Sequence, residues 1–383
     1  MRAHSRLLML FHMKKTTSLL TGALLLTLGI MILAGLKPKG FRIRNEVAWL
    51  HSSPGLCFGR NGIAFTQDYL TWPAGAPDNA ITIEMSVKAS RAYANGVPNI
   101  LTLWDGAASD VLVVGQWKNH LVIRTKDRTA RKGFRETGAV HALPKDTVIL
   151  ITIASGGDGT VVYVNGRPGG RGNFPLVAAS GLSARLVLGN SPSGGSPWRG
   201  NLYGVTIFAR KLGPPEIAGR FLAWDSLGRA WVPPAPDAMV RYAFDEGRGD
   251  AARNSAGNNG PGLTIPVIFR ILQHKVLVLP WKDFRLDKSY AGDATVNFAG
   301  FMPLGFLLAS LLMTGLAMKR RRAVALAVLS GFLLSLFIEL AQVWIPTRSS
   351  QMSDLILNTL GAWAGTIFAR SGKTGAPGKD RHY

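Results

Sequence analysis

The C-terminal third of this 383-residue chain sets polar side chains into apolar segments at spacings that could do chemistry. Asn297 precedes Phe301-Met302-Pro303-Leu304-Gly305, Glu339 and Gln342 interrupt the run from Phe337, and Arg348, Asp354 and Asn358 follow. An ionisable group at the centre of a membrane helix costs about 2.5–3.5 kcal/mol on insertion scales, so a chain that keeps several has a use for them. Glu339 and Gln342 are three apart; Asp354, Asn358, Gly361 and Gly365 recur at i, i+4, i+7 and i+11. Each set shares one helix face. Three chemistries fit. The amides and acids could bridge helices, at about 0.6 kcal/mol per bond, with Arg348 paired to Asp354 or Glu339. Arg348 could instead grip the phosphate of an anionic headgroup in bidentate fashion, with Asn297, Gln342 and Asn358 answering its other oxygens. Or Glu339 or Asp354 could act as a general base. Against the last, the cluster has no His and no Ser–His or metal motif, and Arg348 is its one cation for a transferring phosphate. No catalytic residue is assigned, and an enzyme is the less favoured reading.

The elements that must carry these residues are membrane helices. Hydrophobic residues make up 47% of the chain and charged ones 17%, against about 25% charged in an ordinary soluble domain. The first apolar run, 18–36, contains no charge and is long enough to span, since about 20 residues at 1.5 Å each cross a bilayer. A cleaved signal peptide is the rival, but no small-x-small site follows, so a retained signal anchor is expected. Three further spans are expected at 297–318, 323–345 and 353–369, the last short and polar. Lys and Arg in short loops set orientation. Residues 1–17 carry Arg2, Arg6, Lys14 and Lys15, Lys319-Arg320-Arg321-Arg322 follows the second span, and the tail 371–383 is also basic. Both termini are therefore expected in the cytoplasm, despite Lys37, Lys39, Arg42 and Arg44 just outside the first span. This topology brings all six polar residues to one depth near the outer face. The net charge of +22 is explained largely by these flanks, so nucleic acid is not expected as a partner. The single cysteine, Cys57, excludes an internal disulfide, and no Cys/His cluster has metal-ligand spacing.

Between the first two spans the pattern changes to short alternating runs. Ala80 to Lys88 alternates with period two, and Thr160-Val161-Val162-Tyr163-Val164 runs into Asn165-Gly166. That dipeptide accepts the positive φ angles of a type I′ hairpin turn. Short strands with Gly, Asn and Pro punctuation indicate a β-sandwich over 45–262. A retaining glycosidase needs two carboxylates about 5–5.5 Å apart, hence acids at alternate strand positions; Glu84 stands alone. Trp104, Trp117 and Trp198 could stack on sugar rings, or belong to the core or rim. Asp105 and Asp158 are the candidates for a calcium site, which would need loop oxygens; no cofactor is otherwise expected. Residues 263–290 are apolar but broken by Arg270, His274 and Lys275, which suits a linker lying on the membrane surface.

Two resemblances follow from these residues. Gly62-Ile63-Ala64-Phe65, the hairpin Thr160 to Gly166, Leu186-Val187-Leu188-Gly189, Trp198 to Val205 and Leu212 to Ile217 resemble the laminin-G-like, concanavalin A-like jelly roll. Val240 to Gly249 looks like the segment that usually opens such domains, yet comes late: a returning terminal strand or a rearranged domain. The pattern Asp293, Asn297, Phe301-x-Pro303-Leu304-Gly305, Glu339-x-x-Gln342, Arg348, Asp354 and Asn358-Thr359-x-Gly361 resembles the VanZ-like family over 291–370. That resemblance implies a cell-envelope setting and an association with glycopeptide resistance, but supplies no mechanism. The expected protein is a four-span inner- or plasma-membrane protein with an exported jelly-roll sandwich. Its expected role is to bind an envelope glycan or lipid-linked headgroup at the outer face. The alternatives are an enzyme on a lipid-linked substrate and an anchored adhesion or protein-binding module.

Overall fold

The computed structural model describes residues 2–369 except 74, 78, 92–95, 107–109, 128, 178–182, 258, 284–287 and 347; side chains at 2–13, 282, 283, 288 and 289 are not described either. The basic tail 371–383 lies outside the described residues. The chain forms two compact units, one of residues 42–273 and one of residues 1–41 with 274–383.

The first unit consists of two antiparallel sheets. One runs in the order Val47–Trp49, Leu56–Phe58, Gly200–Phe208, Ile81–Ala89, Val148–Gly156, Gly159–Val164, Arg167–Gly172, with Val240–Tyr242 also on Gly200–Phe208. The other runs Ala251–Ala252, Leu263–Thr264, Ala64–Thr66, Ser183–Leu188, Asn99–Trp104, Asp110–Trp117, His120–Lys126, Phe134–Ala139, with Leu70–Thr71 on Ser183–Leu188. Ile83, Met85, Val87, Ile151 and Val205 of one sheet share a buried core with Leu101, Leu103, Val114, Ile123 and Leu186 of the other. The Asn165-Gly166 turn forms as the dipeptide requires, with φ of 49° and 72°. The late segment is a returning strand, since Val240–Tyr242 pairs antiparallel with Val205–Ile207.

The sequence and the structure differ at two places in this unit. Alternation in Ile81–Ala89 implies a wet polar face, but Thr82, Glu84 and Ser86 are buried. Helix α2, Pro214–Ser226 (α1 is Arg2–Leu36), and its flanks supply the partners. Thr82 donates to Arg210 O and Ser86 to Arg229 O, while Arg220 grips both oxygens of Glu84 at 2.7 and 3.0 Å. The expected linker also begins later than 263. Leu263–Thr264 is a strand on Ala64–Thr66, Ile265 and Phe269 are buried, and Leu272 and Gln273 N–H groups donate to Pro192 O. Arg270 is exposed beside buried Phe269, and Val267 and Ile268 are exposed as well.

The second unit is a helical bundle of α1 with α3 (Pro280–Asp283), α4 (Lys288–Thr314), α5 (Arg320–Gln342) and α6 (Met352–Ile367). Among the described residues, three helical stretches are long and apolar enough to cross a membrane: Lys14–Phe41, Tyr290–Thr314 and Arg320–Gln342. At 16 residues, α6 is shorter. Leu24, Leu28 and Met31 of α1 pack with Phe301 and Leu304 of α4, Ile338 of α5 and Ala362 of α6. The crossing of α4 and α6 is backbone on backbone. A Cβ added at Gly361 would run into the carbonyl oxygen of Phe298, at Gly365 into that of Met302, and at Gly305 into that of Ala362. Small residues permit this approach where the hydrophobic effect does not drive association.

Two outcomes follow. Gly361→Leu forces α4 and α6 apart, at about 1–3 kcal/mol, and lowers the melting midpoint of the detergent-solubilised protein; Gly292→Ala, with nothing within 4 Å of the added Cβ, leaves it in place. In the sandwich fragment 42–273, Arg220→Met strands the Glu84 carboxylate and costs about 3–5 kcal/mol in urea unfolding. Adding Glu84→Gln recovers part of that loss; a fully additive double variant would contradict the pairing.

Candidate functional site

The site is built where α5 ends and α6 begins. Glu339, in the last turn of α5, accepts the N–H of Gln351 at 2.8 Å and a hydrogen bond from Ser350. Gln351 is the N-cap residue of α6, so one carboxylate joins the two helices across their connection. The connection is held from outside as well. Val278 N–H donates to Ser350 O and Met352 N–H to Val278 O, each at 2.9 Å, and the His274 ring packs 4.6 Å from that of Trp344. Gln342 donates to Gly35 O at 2.9 Å, answering one of the carbonyls that the end of α1 leaves without a helical partner.

These contacts border an open cavity of about 750 Å³ lined by all six residues singled out in the sequence: Asn297, Glu339, Gln342, Arg348, Asp354 and Asn358. Lys37, Tyr290 and Asp293 add to its polar wall, and Met31, Phe301 and Ile338 to its apolar one. Arg348 forms no salt bridge with Glu339 or Asp354 among the described residues. The guanidinium is thus not consumed by the acids beside it, which the helix-bridging reading would require. Asn358 donates through Nδ2 to Ser335 Oγ at 2.9 Å. Lys37, Tyr290 and Gln351 at the cavity, and Ser335 behind it, are among the residues that the sequence does not single out. Ser335 was findable, because it lies on the Glu339–Gln342 face at i−4. In the sequence Lys37 stands out only as a basic residue on the outer side of the first span, against the charge pattern.

The sandwich candidates do not come together. Trp198 is fully buried and donates to Gln116 at 2.8 Å, and Trp104 is also buried, so neither offers a face to a sugar. Trp117 is 41% exposed, with Lys118 Nζ 4.8 Å from its ring and His120 beside it. Asp105 faces Lys126 at 3.5 Å, and Asp158 faces Lys211 at 2.6 Å. Hydrogen bonding to Lys211 holds the Asp158 carboxyl below its usual range. Each of these two acids thus faces a lysine ammonium. Among the described residues no group of three or more His, Cys, Asp or Glu could hold a metal ion. Burial pushes the Cys57 thiol up, away from a reactive thiolate.

Comparison with known proteins places these features. A profile described as VanZ/LLP1 matches residues 245–372, and one described as the concanavalin A-like lectin/glucanases superfamily matches 65–218. Among curated proteins, none matches the chain. Solved structures with some likeness include a Bacteroides ovatus protein with a proposed carbohydrate-binding role, at 13% identity and a TM-score of 0.39. The match covers 60% of this chain and 62% of that one, so this chain spans under two thirds of its length. A heptameric SAP-like pentraxin from Limulus polyphemus is similar at 13% identity and a TM-score of 0.32, over 47% of this chain and 81% of that one. The botulinum neurotoxin serotype G binding domain is similar at 12% and 0.37, over 48% and 46%. The chain contains a laminin-G-like domain of the concanavalin A-like superfamily and, C-terminal to it, a VanZ-like region.

Proposed function

We propose that this is a four-span envelope membrane protein whose bundle binds an envelope glycan or lipid-linked anionic headgroup near the outer face. In this reading α6 is the short fourth span, both termini are cytoplasmic, and the sandwich is exported and closes as a jelly roll. The basic loop Lys319-Arg320-Arg321-Arg322 and the basic start of the chain support that orientation. A link to glycopeptide resistance is part of the proposal through the VanZ-like region alone.

One observation carries it: a single cavity at one end of the bundle gathers six polar side chains around an arginine that its acidic neighbours leave unpaired. The guanidinium presents a planar fork to phosphate, and Lys37 adds a second positive charge at the cavity. Arg348 sits on the connection that Glu339 and Val278 pin at Ser350 and Gln351. Glu339 therefore holds the binding loop in place, and its engaged carboxylate is poorly disposed to take a proton from a substrate. The apolar wall of Met31 and Phe301 suits the first carbons of a lipid chain. The exported sandwich adds a second surface, where Trp117 is the aromatic that remains available to a sugar face.

Native mass spectrometry of the detergent-purified protein checks this. Wild type retains an anionic lipid, and Arg348→Ala weakens its retention about 10–100-fold, as expected for a charged hydrogen bond of about 1.5–3 kcal/mol. A wild type that carries no lipid, beside an equally stable variant, would sink the reading. In the same experiment Glu339→Ala, which releases the loop, lowers retention more than Glu339→Gln, whose amide oxygen still accepts from Gln351. An equal effect of the two would remove the pinning role.

A further inference from the structure

The end of the bundle away from the cavity gathers cations from two elements. Lys14 and Lys15 on α1, and Lys319, Arg320, Arg321 and Arg322 at the start of α5, are all exposed. None of the six forms a salt bridge among the described residues. The sequence around them holds no acid in 1–45, 301–338 or 355–369, whereas Asp293, Glu339 and Asp354 line the cavity at the other end. Packing brings the two groups of cations together. A Cβ added at Gly315, in the turn from α4 to α5, would lie 3.3 Å from Thr17 Cγ2. Thr17 in turn donates to the carbonyl of Lys14, one turn earlier, at 2.9 Å. Met318 and Ala323, which flank the four cations of the turn, pack with Ala309, Met313 and Ala369. Arg320 to Arg322 also fill the first turn of α5 without an acid, where the helix dipole is already positive. Orientation during insertion requires only that such charges stay on one side; it does not require that they meet.

We propose that this end of the bundle binds phospholipids with two phosphates in one headgroup, which bridge the α1 lysines and the α4–α5 turn. Depth makes the occupant a lipid. Arg320 and Glu339 lie at the two ends of α5, about 30 Å apart at 1.5 Å per residue, and about 30 Å is the thickness of a bilayer's hydrocarbon core. With the cavity at one headgroup layer, the six cations reach the other, where basic clusters beside membrane helices attract anionic lipid. Two linked phosphates suit two groups of cations on separate elements: once the first phosphate is bound, the second meets its group at high effective concentration. A single phosphate answers one group and leaves the other. This surface is separate from the cavity and does not depend on what the cavity binds.

The test titrates cardiolipin and phosphatidylglycerol, matched in total phosphate, into the full-length protein and reads bound lipid by native mass spectrometry. It is run on wild type and on an Arg348→Ala background, so that lipid held at the cavity is counted separately. Both proteins prefer cardiolipin by about 5-fold or more, the factor that about 1 kcal/mol for one Lys or Arg near a headgroup represents. Lys14→Gln with Lys15→Gln, and separately Arg321→Gln with Arg322→Gln, each lower that ratio about 5-fold, because bridging needs both groups. The extra acyl chains of cardiolipin act equally in every variant, so a fall in the ratio reports the headgroup. Arg321→Lys with Arg322→Lys keeps the charge and holds the ratio. A wild-type ratio of one overturns the proposal without recourse to any variant, and so does a ratio that survives in either folded glutamine variant. A preference that vanishes on the Arg348→Ala background would assign it to the cavity and overturn the proposal as well. Deacylated cardiolipin at excess is expected not to displace the lipid; displacement would overturn the assignment of a lipid as the source.

Discussion

A carboxylate placed at membrane depth has to be answered by donors, because lipid offers none. Here Glu339 is answered by the backbone N–H of Gln351, the residue that caps α6. That bond fixes where α6 starts relative to the end of α5. The register of every later residue on α6 follows. Asp354 and Asn358 come to the cavity, and Gly361 and Gly365, one and two turns further along the same stripe, meet the backbone of α4 at Phe298 and Met302. The close crossing of α4 with α6 in turn brings Asn297 to the same cavity. Arg348 lies on the short connection between the bonded ends, held at a set position without being neutralised by them.

The sandwich follows the opposite logic. Its acids at the positions that invite a chemical reading are each met by a cation: Glu84 by Arg220, Asp105 by Lys126 and Asp158 by Lys211. The Glu84 pair is buried, and its main effect is to fix α2 over the face of Ile81–Ala89, since a stranded partner would be costly. The arginine that its neighbouring acids leave unpaired, Arg348, lies in the bundle.

How much of this the sequence disclosed depended on the range of the interaction. The polar set was legible because rarity in apolar segments marks each residue and helical spacing assigns its face. The Asn165-Gly166 hairpin was legible because the turn is a two-residue matter. What escaped was decided by distant partners. The polar face of Ile81–Ala89 reads as solvent-exposed until α2, about 130 residues later, covers it. Trp198 reads equally as a sugar platform or a core residue, and its burial with the indole N–H bonded to Gln116 decides for the core. Residues 263–273 read as a membrane-surface segment, but two residues of strand pairing and two bonds to Pro192 O attach them to the sandwich. Lys37 was visible only as a violation of the charge pattern, and its place at the cavity gives that violation a use.

The most direct test of the central claim is an experimental density map of the protein in a nanodisc containing anionic lipid. The account predicts density for a phosphate within hydrogen-bonding reach of the Arg348 guanidinium, with the headgroup inside the cavity and Glu339 still bonded to Gln351. A map in which Arg348 turns to pair with Glu339 or Asp354, with no lipid density in the cavity, would contradict it and leave the polar set as interhelical bonding alone.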